Sequence, residues 1–349
     1  MRYKFYTSSS QVLAAMLAEI KLAEECIYLE TFNLHDDKST REIFDVLKQK
    51  STRGLSVKII LDRIGSFWLD SRSRVELERA GVEVVFFNRW FYRNHRKILI
   101  IDKKIGFIGG VNIDGENASW IDLHLKLTGG MLVRSLVHSF IRAYRLGGGQ
   151  DQAFLTSKKW HFFKTSSALY KAKCWLIEHF PIRGRSVLKK YYKEKCALAR
   201  RSIVFATPYF VPHQWLIDSL KKAAKRGVKI EVLIPSSTDI SIVNPVHRAY
   251  ARLLSGLIDF KFLSEMNHAK VLLVDDREGL IGSNNIDAQS FDFNLEASVG
   301  FQRKDMVGDL KKILDYWKSI AKPFSNSYPK PHWYDWFVGF FIKLLQPIL

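Results

Sequence analysis

Two stretches of this 349-residue chain carry residue types that together handle phosphate. His95, Lys97, Asp102, Gly109-Gly110 and Asn112 recur 173 residues later as His268, Lys270, Asp275, Gly282-Ser283 and Asn285. Segments 94–114 and 267–287 align without a gap and agree at 11 of 21 positions. An imidazole can attack phosphorus or move a proton, while an ammonium and an amide hold the nonbridging oxygens as charge develops. One His-x-Lys-x4-Asp string is weak. Two copies that share the following Gly and Asn at the same offsets are not. Period-two alternation puts His95 and Lys97 on one strand face with Arg96 on the other. The small residues at 109–110 and 282–283 are expected to leave room for a tetrahedral anion. Asp102 and Asp275 belong to the motif but lie at the far ends of apolar runs, five residues beyond the lysines, and read as structural anchors. Asp122, 27 residues after His95, and Glu296, 28 after His268, are the candidates to orient the imidazoles. No Cys/His/Asp cluster shows ligand spacing, so neither a metal nor a cofactor is expected.

The elements that position these residues show an α/β rhythm in each half. In the first, a helix over 11–25 follows the Ser8-Ser9-Ser10 cap. A strand at 26–32, a helix at 42–49 and an apolar strand at 57–61 come next. In the second, a strand at 203–209, a helix at 215–225 and a strand at 230–234 repeat that order. Arg53-Gly54 and Arg226-Gly227 end the corresponding helices. Helices alternating with buried strands imply mixed sheets covered on both faces, and one period present twice implies a duplicated domain. The expected organisation is a first lobe at 1–150 with its motif at about 90–116, and a basic aromatic insert at 151–200. A second lobe at 201–325 follows, with its motif at about 263–289, then a linker and helix at 326–349.

At these residues the chain resembles the phospholipase D superfamily, whose double motif is His-x-Lys-x4-Asp-x6-Gly-(Gly/Ser)-x-Asn. Within it the likeness is to bacterial cardiolipin synthases. Asn94-His95-Arg96-Lys97 with Gly109-Gly110-Val111-Asn112 looks like their first motif, and Trp120-x-Asp122-x-His124 before Gly129 like the stretch after it. Thr207-Pro208-Tyr209-Phe210-Val211-Pro212, Gly282-Ser283-Asn284-Asn285-x-Asp287, Ser290-Phe291 and Asn294-x-Glu296 resemble the second lobe. The resemblance implies two α/β lobes related by a pseudo-twofold, with one active site at their interface. It also implies a metal-free phosphodiester transfer in two steps. His95 would attack phosphorus and His268 serve as acid and base, with Lys97, Lys270, Asn112 and Asn285 on the nonbridging oxygens. The implied activity is transfer of a phosphatidyl group to the glycerol headgroup of phosphatidylglycerol. A lipid hydrolase using water as acceptor, or a nuclease, are the alternatives within the superfamily. Two transmembrane helices are usual ahead of the first lobe in that family, and none is expected here.

Composition bears on the partner. The chain has 54 Lys+Arg against 35 Asp+Glu, a net charge of +19, which fits a polyanionic surface. The 47% hydrophobic content is globular and excludes a disordered, collagen-like or coiled-coil chain. Three widely spaced cysteines (Cys26, Cys174, Cys196) argue against a disulfide framework. No secretory signal and no apolar run of spanning length is read, so the expected location is peripheral, on the cytosolic face of the membrane. Residues 158–201 hold thirteen Lys/Arg against Glu178 and Glu194, interleaved with aromatics. Trp333, Trp336, Phe337, Phe340, Phe341 and Leu344 fall on one helical stripe, expected to lie in the membrane interface. The expected partners are an anionic phospholipid membrane and a phospholipid substrate, with nucleic acid the lesser alternative. Because both halves lie in one chain, activity as a monomer is expected.

Overall fold

A computed structural model describes residues 1–115, 117–156, 173–181, 186–325 and the single positions 337, 340 and 341. The first lobe runs β1 (Arg2–Ser8), α1 (Ser9–Leu22), β2 (Cys26–Thr31), α2 (Arg41–Thr52), β3 (Ser56–Asp62), α3 (Ser71–Arg79) and β4 (Glu83–Phe87). It continues through β5 (Arg93–Asn94), β6 (Ile98–Ile101), β7 (Ile105–Gly109), β8 (Ile121–Thr128), α4 (Met131–Leu146) and α5 (Gln152–Thr156). The second runs β9 (Cys174–His179), α6 (Val187–Leu198), β10 (Ser202–Ala206), α7 (Gln214–Lys225), β11 (Lys229–Pro235) and α8 (Val243–Leu254). After these come β12 (Asp259–Leu263), β13 (Val271–Val274), β14 (Glu278–Gly282), β15 (Asn294–Phe301), α9 (Lys304–Ile320) and β16 (Lys322–Pro323).

The first sheet has the order β1-β8-β7-β6-β2-β3-β4, and the second repeats it as β9-β15-β14-β13-β10-β11-β12 with β16 at the edge. In each, three parallel strands join an antiparallel set. Period-two alternation divides the apolar residues between two layers. Leu99 and Ile101 of β6 pack outward with Val12, Met16, Phe44 and Leu47 of α1 and α2. Ile98 and Ile100 face inward, into a core shared by α4, α9 and the second sheet through Leu273, Ile281 and Val299. The outer face of the second sheet is covered by α6, α7 and α8. The two sheets therefore sandwich α4 and α9 and are each capped by helices outside, an α/β architecture of duplicated lobes.

Two differences from the sequence reading bear on the site. Residues 174–179 and 187–198 are not a separate insert. β9 pairs antiparallel with β15 as β1 pairs with β8, and α6 stands where α1 stands in the first lobe. The lysines that made this stretch look like a basic arm lie partly on α6, whose Leu188, Tyr192 and Cys196 are core. Helix α1 stops at Leu22, short of the expected Glu25. The next N–H groups are taken by the motif aspartate: Asp102 accepts from Glu24, Glu25 and Cys26 at 2.7–3.2 Å. Asp275 does the same for Arg200, Arg201 and Ser202. Asp102 and Asp275 sit in hairpin turns with φ +50° and +55°, a region that short polar residues tolerate. Gly54 and Gly227 end α2 and α7 at φ +92° and +85°, where a side chain would be strained although space is open.

Candidate active site

The site lies at the carboxyl ends of the parallel strands, where the two lobes meet. The approach to each histidine pairs with the other lobe. β5 runs parallel to the start of β15, and the His95 N–H donates to the Leu295 carbonyl at 3.1 Å. Ile121, which opens β8, bridges in parallel to Asn267, and the His268 N–H donates to the Ile121 carbonyl at 2.7 Å. The next residue of each of these strands is a carboxylate. Glu296 therefore accepts from His95 Nδ1 at 3.0 Å, and Asp122 from His268 Nδ1 at 3.0 Å. Spacing counted within one lobe suggested neighbours. The structure crosses them, so each imidazole is oriented by the opposite half of the chain.

A carboxylate can only accept, so each Nδ1 carries a proton; the attacking imidazole then needs a lone pair on Nε2, and the one that acts as acid needs a second proton there. Lys97 Nζ donates back to the His95 carbonyl at 2.6 Å and Lys270 Nζ to the His268 carbonyl at 2.5 Å. Phe32 meets the His95 ring edge-on at 5.2 Å and lies 5.3 Å from the Lys97 ammonium, while Trp120 packs 5.4 Å from the His268 ring. Both His-Lys pairs and both carboxylates are buried.

The glycines have a different task from the one expected. A Cβ on Gly110 would fall onto the Asp122 carboxylate, and one on Gly109 would meet the Leu123 carbonyl at 2.5 Å. Gly282 is closed off likewise by Ser298 and the Ala297 carbonyl. The small residues make room for β8 and β15, which deliver the carboxylates, and not for an anion.

The halves are unequal. Glu296 also accepts from Ser283, from Ser290 at 2.9 Å and from Asn294 at 3.3 Å. Burial pushes its carboxyl up, but His95, Lys97 and Ser283 outweigh it and hold the pKa below the ordinary value. Asp122 has the Leu123 N–H at 2.6 Å besides His268. Burial wins there, against Lys270 and the Leu123 N–H, and the pKa rises to about 6. Burial and then the lysine ammoniums depress both histidines, His268 well below the usual value. Lys97 is likewise driven well down by burial, and Lys270 to about 8.

Two buried lysines beside two imidazoles form a cationic pocket that an anionic phosphodiester stabilises. Because Lys270 titrates at about 8, kcat/KM should fall as pH rises through that value, which reports the free enzyme. Lys270→Arg keeps the charge and should move this alkaline limb upward in a pH–rate profile, at reduced overall rate. An unmoved limb would assign it to another group.

Asn112 and Asn285 follow the second strand of each hairpin. Asn112 Oδ1 lies 3.5 Å from the Thr31 hydroxyl, and the Asn285 N–H donates to Ser290 at 2.9 Å. Asp102 and Asp275 stand at the opposite ends of their strands and hold the backbone described above. Phe337, Phe340 and Phe341 are helical and exposed, whereas Trp333, Trp336 and Leu344 lie outside the described residues. Among the described residues no group of three or more His, Cys, Asp or Glu could hold a metal, and no helix is long and apolar enough to cross a membrane.

Sequence reasoning gave no role to Phe32, to the hydroxyls of Ser283 and Ser290, to Asn294 or to the pair behind the first motif. Arg96, on the face opposite His95, lies 3.2 Å from Glu30, both fully buried, and 5.5 Å over the partly buried Phe180. It also donates to Ser139, which in turn donates to Glu178 of β9. A glutamate in the middle of the apolar strand β2 was the available signal.

A pseudo-symmetric pair of α/β lobes that share two His-Lys pairs defines a phospholipase D-like phosphotransferase. The chain belongs to the cardiolipin synthase, PLD-like domain family, whose profile matches it twice, at residues 16–126 and 192–317. It is 30% identical to a cardiolipin synthase of Halalkalibacterium halodurans over 99% of its own length and 72% of the relative. It is 33% identical to cardiolipin synthase 2 of Bacillus anthracis, over 87% of this chain and 62% of that one. Among solved structures, the phosphatidylserine synthase of Haemophilus influenzae superimposes with a TM-score of 0.76 at 16% identity, covering 99% of this chain and 95% of that one. The polyphosphate kinase of Porphyromonas gingivalis does so at 0.64 and 13%, covering all of this chain and 54% of the kinase. These two likenesses concern the fold.

Proposed function

We propose that the protein transfers a phosphatidyl group from one phospholipid to the glycerol headgroup of phosphatidylglycerol, giving cardiolipin and free glycerol when phosphatidylglycerol is also the donor. The observation that carries this reading is the crossed pair of His–carboxylate contacts, each beside a buried lysine. His95 Nε2 attacks phosphorus, and the bond to the leaving glycerol breaks as His268 gives that oxygen a proton. The resulting phosphatidyl-histidine carries positive charge, which the ionised Glu296 stabilises. His268, now neutral, takes the proton of the incoming hydroxyl. That oxygen displaces His95 and restores the enzyme. Lys97 and Lys270 hold the nonbridging oxygens through both steps, with Asn112 and Asn285 in support.

The enzyme acts as a monomer at the cytosolic surface of an anionic membrane, held peripherally and requiring no cofactor. With vesicles of phosphatidylglycerol alone, cardiolipin and glycerol should outweigh phosphatidic acid in the resolved lipid products. A mixture dominated by phosphatidic acid would make water the acceptor and the protein a hydrolase.

A further inference from the structure

Two loops leave the carboxyl ends of the adjacent parallel strands β3 and β4, and both present aromatic side chains to solvent. Phe67 is 73% exposed and Trp68 76%, while Trp90 is 92% and Phe91 73%. Ile64, on the first loop, is 58% exposed. The loops are neighbours: Asp62 pairs with Phe87 in the sheet, and the Arg63 N–H donates to the Phe87 carbonyl at 3.1 Å. Five large apolar side chains in one solvent-facing patch mark a contact surface.

The patch is rigidly held. Tyr92 N–H donates to the Arg89 carbonyl at 3.0 Å, which closes a turn with Trp90 and Phe91 at its tip. The Arg93 guanidinium fastens that turn by donating to the carbonyls of Arg89, Trp90 and Tyr92. The other loop is wound on Asp62, whose Oδ1 accepts from Ile64 and Gly65 at 2.9 Å. Phe67 and Trp68 brace each other edge-to-face at 5.4 Å.

The same anchors reach the reacting histidine. Asp62 Oδ2 accepts from the Asn94 N–H at 2.8 Å, one residue before His95. Ser66 donates to the Phe32 carbonyl at 3.0 Å, and Phe32 packs on His95. Gly65 must be glycine, since a Cβ there would strike Phe32. The exposed aromatics and the catalytic imidazole are thus two ends of one small construction. In the second lobe the loop after β11 exposes Ile242, at 76%, at the equivalent end of that sheet.

We infer that Phe67, Trp68, Trp90 and Phe91 form an insertion surface that seats the site on the headgroup layer of a phospholipid bilayer. This rests on the reading of the substrate as a membrane phospholipid. Trp and Phe are residue types suited to headgroup depth. The exposed Arg63 and Arg89 beside them match an anionic leaflet. The net charge of +19 favours that surface over an apolar protein face.

The test compares the full chain with the variant Phe67→Ser, Trp68→Ser, Trp90→Ser, Phe91→Ser, after matched thermal melts establish that both are folded. Flotation with phosphatidylcholine vesicles containing phosphatidylglycerol measures partition without reference to catalysis. Turnover is then read on those vesicles and on short-chain phosphatidylglycerol below its micelle concentration. The variant should partition about 100-fold more weakly, lose vesicle turnover in parallel, and keep turnover of the monomeric substrate within about twofold. If the variant floats as the parent does, the inference is wrong. It is also wrong if the parent sediments as a dimer that the variant dissolves, because the patch then joins two copies. If neither protein turns over phosphatidylglycerol but the partition still falls, the insertion surface stands and the proposed reaction fails.

Discussion

His95→Ala and His268→Ala each abolish turnover of an ordinary phospholipid, by at least about 10⁴-fold, while the melting curve stays close to that of the parent. Both steps need both imidazoles, so losing either one stops the cycle. The variants differ once the leaving group needs no proton. With a p-nitrophenyl phosphatidyl ester, His268→Ala should still release one equivalent of p-nitrophenol in a burst, whereas His95→Ala should release none. A His268→Ala protein that kept near-normal turnover of phosphatidylglycerol would remove the shared site altogether.

Glu296→Gln should lower turnover on the order of 10³-fold. The amide keeps the shape and can accept the His95 Nδ1–H, but it removes the negative charge that stabilises a cationic phosphohistidine. It also breaks a four-partner network of His95, Ser283, Ser290 and Asn294. Asp122→Asn should behave differently, because Asp122 backs the histidine that moves protons. Its loss should shrink when a p-nitrophenyl leaving group replaces glycerol, while the Glu296→Gln loss in burst rate persists. Equal rescue of both variants would contradict the division of labour between the two halves.

Much of this was legible in the sequence because duplication repeats each signal. The double motif named His95, Lys97, His268 and Lys270, and the apolar runs gave the central strands of both sheets, β2, β3, β6, β10, β11 and β13. The spacing also named Asp122 and Glu296, but not which histidine each serves. That pairing follows from β5 docking on β15 and from Ile121 bridging to Asn267, contacts between chain segments roughly 150–200 residues apart. No periodicity reports such contacts. The role of Gly109-Gly110 was misjudged for the same reason, since the strand that fills their space is the one bearing Asp122. Cys174–His179 was missed as a strand because it is short and follows a lysine-rich stretch, and only its pairing with β15 defines it. The exposed Trp90 and Phe91 carry no pattern of their own, since an aromatic in a sequence gives no sign of which way it faces.

The central claim is a covalent phosphatidyl-histidine at a site shared by the lobes, and one measurement addresses it directly. The His268→Ala protein is mixed with labelled p-nitrophenyl phosphatidyl ester and quenched at alkaline pH, where a phosphoramidate survives. It is then digested and the labelled peptide sequenced by mass. The label should sit on His95, in about one equivalent per chain. A label found on another residue, or a p-nitrophenol burst with no labelled protein at all, would contradict the mechanism.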